Sequence, residues 1–498
     1  MKIYFRKKQL DDLNSIAIAA SKGASITVLT GKRKVGKTTL VKQFLRENAG
    51  AYITISSKAT AMQLRDITEY LKSFQISGES VPVFLTWEDF FAFLFKIAIQ
   101  NPVNIIIDEF HNLEFVDQTA YVDLKRAWDK NHHNSKLNLI IVSYNEDFIR
   151  RRFETKESPI YKLNAKKIKL RPFGISDVMA IAKSNNSNLT TKQLITLYTI
   201  FGGLPKYYFL IDRLKLWDKG LEQIIRELIF VLYAPLAFEL KELILNEFSR
   251  GNKIYLSILQ AISHGDNKMS DIASSVNIPV TNLTKYLFEL EKRKKIVDRE
   301  NPINTRPGIK SKFGRYYVAN YFDNFWFRFI QPDIINFESG EYEKMIAHIM
   351  QNLEGYLDTR MIIYVREVFE NFPNSAALRK VFPYEITKVG AIWNRKDTVE
   401  LAVLSEKHKQ VLYGQLVLKD HPLSREEVTE ALAYYNKFPR TFADHVKTRL
   451  LITKNGVDGE AWELMKSIGI QHLVTDVFID ILIHEQQEIG GDFIEFEV

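Results

Sequence analysis

The sequence predicts an α/β fold built on a parallel sheet, and two observations lead to that prediction. Short β-branched apolar runs at Ile26–Thr30, Val103–Ile107 and Leu137–Ser143 are typical of buried strands. Strands of this kind alternate with helix-like segments across Thr27–Leu170, which favours a parallel sheet with helices on both faces.

Composition limits the class of protein. The chain has 498 residues, which is too long for one hydrophobic core and predicts about three or four domains. There is no cysteine, so disulfides, cysteine–zinc sites and iron–sulfur clusters are excluded. The segment Met1–Leu10 is charged, and no stretch approaches the roughly 18 apolar residues of a membrane helix. We therefore expect a cytoplasmic protein that does not contact a membrane.

The formal charge is +8 and is unevenly distributed. Residues 251–330 carry thirteen Lys or Arg against seven Asp or Glu, whereas Ile481–Val498 carries five acids and no Lys or Arg. A basic middle makes contact with nucleic acid plausible there, the alternative being a basic face that is simply solvated.

A glycine-bearing loop, Gly31-Lys-Arg-Lys-Val-Gly36-Lys37-Thr38-Thr39, lies between the first strand and a predicted helix at Leu40–Leu45. This is the context that the phosphate-binding pattern G-x-x-x-x-G-K-[ST] requires. The glycines let backbone N–H groups face the phosphates, Lys37 reaches the β- and γ-phosphates, and Thr38 offers its hydroxyl to magnesium. We therefore predict ATP and Mg²⁺ as ligands, with nucleotide contacts at Gly31, Val35, Gly36, Lys37, Thr38 and Thr39.

Acids should follow a second strand of such a site, and Asp108 and Glu109 follow Val103–Ile107. Asp108 is predicted to hold magnesium through water, and Glu109 to polarise the attacking water, so that Glu109 and Lys37 are the catalytic residues. The alternative is that the acids only cap the next helix. Ser143, at the end of the third strand, could contact the γ-phosphate or merely begin a polar turn.

Further motifs occur along the chain in addition to the phosphate loop: Phe5-Arg6 with Gln9-Leu10, Ile107–Phe110, Leu170–Phe173, Gly202–Tyr207, Arg315–Val318 and Asp323–Phe329. With the phosphate loop they resemble the archaeal and bacterial P-loop ATPases of the STAND-like, AAA-related class. Members of that family carry a winged helix and a C-terminal domain of unknown function related to restriction-type nucleases. The resemblance covers nearly the whole chain.

The resemblance implies that Arg6 lies near the nucleotide base and that Gly202–Pro205 belongs to a helical lid. By chemistry alone Gly202–Pro205 is a helix terminator and turn. The family usually has an arginine before its Leu-x-Pro-Phe segment, but Ile160–Lys166 has none here, and Arg150, Arg151, Arg152 and Arg171 cannot be assigned to its place. Because such an arginine can contribute about 10³-fold or more in rate, we expect slow hydrolysis.

The basic middle reads as a winged helix-turn-helix. Tyr255–Ile262, Met269–Val276 and Val280–Arg293 have helical spacing, and Lys295–Arg299 reads as a strand. The third helix is predicted to present polar and basic side chains to DNA phosphates, and further basic residues should lie on or near the wing. The former are Thr281, Asn282, Lys285, Lys292 and Arg293; the latter are Lys294, Arg299, Lys310, Lys312 and Arg315. Protein docking is the alternative use of this module.

The C-terminal segment reads as strands at Gly390–Trp393, Thr398–Leu404, Gln410–Leu418 and Arg449–Thr453, with a capping box at Ser424–Glu427. Its order resembles the nuclease-like core of the family, whose active members bind a metal through an Asp and a Glu-x-Lys motif. The equivalent positions here are Glu400, Gln415 and Val417, with Lys419 two residues on. The preceding helix, Met361–Phe369, places no clear acid at the position where the family commonly has Phe-Glu, so we expect a nuclease fold without activity.

These inferences predict four domains: a P-loop core (residues 1–170), a helical lid (171–248), a winged helix (249–332) and a degenerate nuclease-like domain (333–498). The predicted function is a slow ATP-dependent molecular switch. Double-stranded DNA is its predicted partner through the winged helix, with a protein partner or self-association as the alternative. The rival functions are an ATP-dependent DNA nuclease or motor and a non-enzymatic scaffold that keeps ATP bound.

Overall fold

A computed structural model describes residues 6–74, 80–163, 165–237, 239, 253–306, 311, 313–433, 435, 438 and 441–484. Among these, the chain forms two compact units. The first comprises residues 6–174 and 203–209, and the second comprises 175–202 and 210–484. The finer division into four domains stays a prediction, and part of the predicted lid lies outside the described residues.

The first unit contains a five-stranded sheet in the order β2-β3-β4-β1-β5, in which every pairing is parallel. The predicted parallel α/β fold is therefore confirmed. Because the strands are parallel, the carboxyl ends of β1, β3 and β4 lie at the same edge, where ligands bind in such sheets. The strands are β1 (Ser25–Gly31), β2 (Gly50–Thr54), β3 (Val103–Asp108), β4 (Leu137–Ser143) and β5 (Lys166–Leu170).

Helices cover both faces of this sheet because successive strand side chains point to opposite sides. Ile105 and Ile107 pack with α3, α4 and α6 on one face, whereas Ile106 packs with α1 and α2 on the other. A capping box at Thr86 and Asp89 begins α4. The helices are α1 (Lys7–Ala20), α2 (Lys37–Glu47), α3 (Thr60–Phe74), α4 (Trp87–Ile97), α5 (Leu113–Val116), α6 (Ala120–Asn131) and α7 (Glu146–Ile149).

The second unit begins with α8 (Ile175–Ser184) and α9 (Thr191–Phe201), and continues with α11 (Leu221–Ile229). Between them α10 (Pro205–Arg213) starts in the first unit and ends in the second. Gly202 ends α9 with a φ of 61°, and Pro205 begins α10, so this segment is the helix terminator that its sequence predicts.

Three helices and an antiparallel hairpin form the basic middle of the chain. Their order is the one predicted, and the hairpin pairs Val297 with Val318 through Glu300 with Arg315. The described part of this region is α12 (Lys253–Ser263), α13 (Met269–Ser275), α14 (Val280–Phe288), β6 (Val297–Glu300) and β7 (Arg315–Val318). Lys310 and Lys312 lie outside the described residues.

The C-terminal region holds a second five-stranded sheet in the order β12-β11-β10-β9-β8. Its first three strands along the chain pair antiparallel, and the last two add in parallel. Four helices lead to this sheet: α15 (Tyr321–Phe329), α16 (Ile334–Ser339), α17 (Tyr342–Asn371) and α18 (Ala376–Val381). The remaining elements are β8 (Lys388–Trp393), β9 (Thr398–Ser405), β10 (Gln410–Val417), α19 (Arg425–Leu432), β11 (Val446–Thr453), α20 (Gly459–Ser467), β12 (Gln471–Val474) and α21 (Thr475–His484).

The expectation that the helix before this sheet has no acid in a Phe-Glu pair is wrong, because Phe369-Glu370 lies within this helix. Helix α17 runs past Phe369 to Asn371 and carries Glu367 and Glu370. Burial raises the pKa of Glu367 to about 7, and it also raises the pKa of Glu370. The prediction failed because it ended the helix at Phe369 and so left Glu370 out.

Candidate functional site

The loop between β1 and α2 depends on two glycines. Gly31 and Gly36 have φ values of 147° and 93°, in the region that favours glycine. A Cβ on Gly31 would stand 2.3 Å from the carbonyl oxygen of Leu170 in β5, so no larger residue fits there. The loop therefore runs close to the neighbouring strand and delivers the chain into the N-terminus of α2.

Lys37 is the first residue of α2 and is buried. Its Nζ donates hydrogen bonds to the carbonyl oxygens of Gly31 at 2.9 Å and Lys32 at 2.8 Å. Burial lowers the pKa of Lys37 to about 8, against the opposing effect of the carboxylates of Glu109 and Asp108. These hydrogen bonds hold the Lys37 ammonium group at the opening of the loop, where it would contact a phosphate bound there.

Thr38 and Asp108 supply neighbouring oxygen atoms. Thr38 Oγ1 donates to Asp108 Oδ2 at 3.0 Å, and Tyr52 Oη donates to the same oxygen at 2.5 Å. The other carboxylate oxygen, Asp108 Oδ1, accepts the Glu109 N–H at 2.7 Å. A hydroxyl and a carboxylate side by side are the oxygen donors that Mg²⁺ prefers, so these residues fit that ion.

Glu109 lies directly beyond β3 in a left-handed conformation, with φ 55° and ψ 33°. This conformation is uncommon for a residue with a side chain and tends to occur at functional sites. Burial and the Asp108 carboxylate raise the pKa of Glu109, while Arg33 and Lys37 oppose the shift. Glu109 Oε2 lies 3.4 Å from His111 Nε2.

Ser143 ends β4 and is completely buried. Its Oγ lies 3.2 Å from His111 Nδ1 and accepts the Asn145 N–H at 3.1 Å. Its contact with the γ-phosphate stays a prediction, and the described bonds connect it to His111 and to the turn that follows.

Arg6 is buried beside the phosphate loop. Its Nη2 donates to the carbonyl oxygens of Arg171 at 2.7 Å and Val35 at 3.3 Å, and its guanidinium lies 5.1 Å from the ring centre of Phe173. These bonds support the back of the loop. The contact with the nucleotide base that the resemblance implies stays a prediction, as does the contact at Thr39.

The turn before α10 also lies beside this loop. Pro205 Cγ lies 4.0 Å from the point where a Cβ on Gly36 would stand. Gly203 O accepts the Phe173 N–H at 2.8 Å, and a Cβ on Gly203 would meet the Phe173 carbonyl oxygen at 1.9 Å. The second glycine of the turn is therefore required by this close approach, and the turn is held next to the loop.

The nearby arginines that the sequence could not assign are mostly paired with acids. Arg150 bonds to Asp147 at 2.8 Å, and both Arg151 and Arg152 bond to Glu114, at 2.9 and 3.2 Å. A different arginine, Arg33, is part of the loop itself and stands 4.6 Å from the ring centre of Tyr144.

Sequence reasoning missed Tyr52, His111 and Arg33. Tyr52 looked like an ordinary strand residue, and only the pairing of β2 with β3 brings its hydroxyl to Asp108. Arg33 occupies a variable position of the motif. His111 follows the acid pair by two residues, and that short spacing was the available signal.

In the predicted wing, two basic residues are used for internal contacts. Arg299 donates to Asn301 Oδ1 at 2.9 Å and to Tyr316 Oη at 3.2 Å. The Arg315 guanidinium bonds to Thr398 and lies 4.6 Å from the ring centre of Trp393. On α14 and just after it, Thr281, Asn282, Lys285, Lys292 and Arg293 are exposed.

The nuclease-like positions lie on neighbouring strands. Glu400 is on β9, and Gln415 and Val417 are on β10. Burial raises the pKa of Glu400, and the Gln415 Oε1 atom is buried without a hydrogen-bond partner among the described residues. Over the described ranges, no group of three or more His, Asp or Glu side chains is arranged to hold a metal ion.

Two domain models match the chain. Residues 4–211 match an ATPase domain found predominantly in Archaea, and residues 326–431 match DUF234, a domain of archaeal and bacterial proteins of unknown function. An uncharacterized protein of Methanocaldococcus jannaschii is 26% identical over 422 residues, which are 83% of this chain and 87% of that protein.

Two solved structures are similar to parts of the chain. The Walker-type ATPase PABY2304 of Pyrococcus abyssi is 18% identical, with a TM-score of 0.48 over 65% of this chain and 96% of that one. The ORC2 protein of Aeropyrum pernix, solved as ADPNP and ADP complexes, is 12% identical, with a TM-score of 0.42 over 70% of this chain and 96% of that one. Both TM-scores are below 0.5.

In the described part of the chain, no helix combines the length and the apolar character needed to cross a membrane. The phosphate loop, the acids beyond β3 and the parallel sheet all lie within the residues that match the ATPase domain. Residues 4–211 are therefore a P-loop ATPase domain that binds ATP, joined in one chain to a domain of unknown function.

Proposed function

We propose that this chain is a slow ATP-dependent molecular switch, in which hydrolysis resets a lid, a winged helix and a C-terminal nuclease-like domain. One observation supports this most strongly. Thr38 donates a hydrogen bond to Asp108 at 3.0 Å beside the buried Lys37. The adjacent Glu109 supplies a second carboxylate, which takes no part in that hydrogen bond and lies beside His111. A protein that only stores ATP has no need of that second acid.

The roles follow from this geometry. The loop N–H groups and Lys37 bind the phosphates, and Thr38 with Asp108 would hold Mg²⁺, which neutralises phosphate charge when bound. Glu109 accepts a hydrogen bond from the attacking water and aligns it with the γ-phosphate. Because burial and Asp108 raise its pKa, this carboxylate is a stronger base than an exposed glutamate.

Slow turnover is proposed because the usual family arginine is missing. Arg150, Arg151 and Arg152 are paired with Asp147 and Glu114, which supports the view that they do not replace it. A switch tolerates a long-lived ATP state, whereas a motor requires rapid cycling. The missing arginine is also consistent with the alternative function, a non-enzymatic scaffold that keeps ATP bound.

The winged helix has two candidate partners, DNA and another protein. The exposed Lys285, Lys292 and Arg293 support DNA contact through phosphates. In contrast, Arg299 and Arg315 are engaged in contacts within the protein, and α14 exposes 46% of Val280 and 51% of Phe288. Exposed apolar side chains on this helix favour protein docking, so we retain a protein partner or self-association as the second candidate.

The C-terminal domain is proposed to bind or assemble and not to cleave nucleic acid. Gln415 is a poor ligand for magnesium, and Val417 cannot orient a hydroxide. Glu370 and Glu400 do supply acids near this sheet, so the nuclease alternative needs a direct test. Metal-dependent DNA nicking that disappears in Glu400→Gln would support that alternative.

A cytoplasmic location stays part of the proposal.

The experiment that tests the switch is steady-state hydrolysis of Mg·ATP by the wild type and by Glu109→Gln, with and without double-stranded DNA. We expect Glu109→Gln to bind ATP normally and to lose about 10²- to 10⁴-fold in kcat. Glu69→Gln is the control, because that carboxylate is exposed and pairs with Lys72 on α3. Stimulation by DNA would support the winged helix as a DNA sensor. ATP binding without turnover in any condition would favour the scaffold.

A further inference from the structure

His111 connects two residues that the proposed mechanism treats separately. It lies in the 3₁₀ turn Phe110–Asn112, three residues beyond the end of β3, and its side chain is buried. Its Nε2 lies 3.4 Å from Glu109 Oε2 and its Nδ1 lies 3.2 Å from Ser143 Oγ. The imidazole therefore spans the gap between the carboxylate beyond β3 and the hydroxyl at the end of β4.

The protonation of this ring can be assigned from its neighbours. Burial lowers the pKa of His111 to about 4, so the ring is neutral at pH 7 and has one donor and one acceptor. Ser143 Oγ already accepts the Asn145 N–H, and its own proton can point to Nδ1. Nε2 then carries the ring proton and faces Glu109. The other tautomer would turn a nitrogen lone pair toward a carboxylate, which is repulsive.

Packing fixes the plane of the ring. The Tyr144 ring meets His111 edge to face, with centroids 4.5 Å apart, and the Phe148 centroid lies 6.2 Å away. The Arg33 guanidinium in turn covers the Tyr144 ring. The imidazole is therefore held from the side by aromatic rings, and its two nitrogen atoms keep their directions toward Ser143 and Glu109.

We propose that His111 is a positioning residue that transmits the state of Ser143 to Glu109 and orients the Glu109 carboxylate toward the attacking water. This inference rests on the proposed role of Glu109. The 3.4 Å separation is long for a hydrogen bond, and catalytic hydrogen bonds often shorten only when substrate is bound. If Ser143 contacts the γ-phosphate, loss of that phosphate would reach Glu109 through this single ring.

The test uses the full chain and compares His111→Phe, Glu109→Gln, the double variant and His132→Phe. Phenylalanine keeps the ring packing and removes both nitrogen atoms, and His132, stacked on Trp128 at the end of α6, is the matched control. ATP hydrolysis is measured over a range of ATP concentrations and in single turnover, and nucleotide affinity is measured with a fluorescent ATP analogue.

We expect His111→Phe to lower kcat about a hundredfold while KM and the affinity for the analogue change less than twofold. In the Glu109→Gln background the same change should have no further effect, because the group through which His111 acts is already gone. His132→Phe should behave as the wild type. A merely structural role would lower both backgrounds by the same factor.

Ser143→Ala provides a second variant in case His111→Phe does not fold. It leaves the imidazole in place but removes the donor that fixes its tautomer, so kcat should fall and the fall should disappear in the Glu109→Gln background. The inference is overturned if His111→Phe or Ser143→Ala keeps the wild-type kcat, or if either loss is undiminished in that background. If Glu109→Gln itself turns over at the wild-type rate, the proposed function fails as well, and this result is visible without any His111 variant.

Discussion

The buried Lys37 predicts that ATP binding weakens as the pH rises through about 8. Its pKa is lowered to about 8 because burial disfavours the ammonium form, and the two loop carbonyls that it contacts do not restore the usual value. Only the charged form attracts the triphosphate. Affinity that depends on this proton is therefore present below the free-state pKa and is lost above it.

The size of the effect follows from that pKa. A lysine that titrates at about 8 is roughly three-quarters protonated at pH 7.5 and about one-tenth protonated at pH 9.0. The apparent Kd for ATP should then rise about eightfold between these two values, provided that the bound state keeps the proton. An unperturbed lysine, which titrates near 10.4, would produce almost no change over this interval.

The assay is calorimetric titration of the protein with Mg·ATP at pH 7.5 and 9.0, repeated in buffers with different ionisation enthalpies. Binding at pH 9.0 should take up about one proton per ATP. Lys37→Arg is the matched control, because a guanidinium stays charged at both values and should give a Kd independent of pH, even if its affinity is lower. A wild-type Kd that changes less than twofold, or a parallel change in Lys37→Arg, would refute the reasoning.

Two further predictions concern groups that the structure brings into prominence. Tyr52→Phe removes a hydrogen bond to the Asp108 carboxylate. We therefore expect the Mg²⁺ concentration for half-maximal ATP hydrolysis to rise about tenfold. A magnesium titration checks this expectation, and an unchanged midpoint would contradict it. Glu367 has a folded-state pKa of about 7, above its ordinary value, so the folded state binds the proton more tightly and stability falls as the pH rises from about 4.5 through 7. Glu367→Gln should therefore raise the free energy of unfolding by on the order of 2 kcal/mol at pH 8 but by much less at pH 5. Thermal denaturation at both pH values measures this difference. Equal effects at the two pH values would exclude titration of Glu367 as the cause.

Local patterns were enough to predict most elements of the ATPase domain. The apolar runs at Ile26–Thr30 and Val103–Ile107 became β1 and β3 nearly residue for residue, because a run buried on both faces leaves few alternatives to a central strand. Helix ends were less predictable. The acid-bearing end of α17 was missed because Phe369 is the last apolar residue of its stripe, whereas the helix itself runs on to Asn371.

The sequence by itself determined the identity of the phosphate loop, the acid pair and the parallel sheet, because each depends on residues that are close together along the chain. Glycine conformations, the Lys37 ammonium and the strand-end carboxylates are all local properties. Only the tertiary structure decided which side chains from other strands reach them. Tyr52 meets Asp108 because β2 pairs with β3, and His111 meets Ser143 because β4 lies between β3 and β1. Strand order is set by packing of the whole sheet, and spacing along the chain does not encode it.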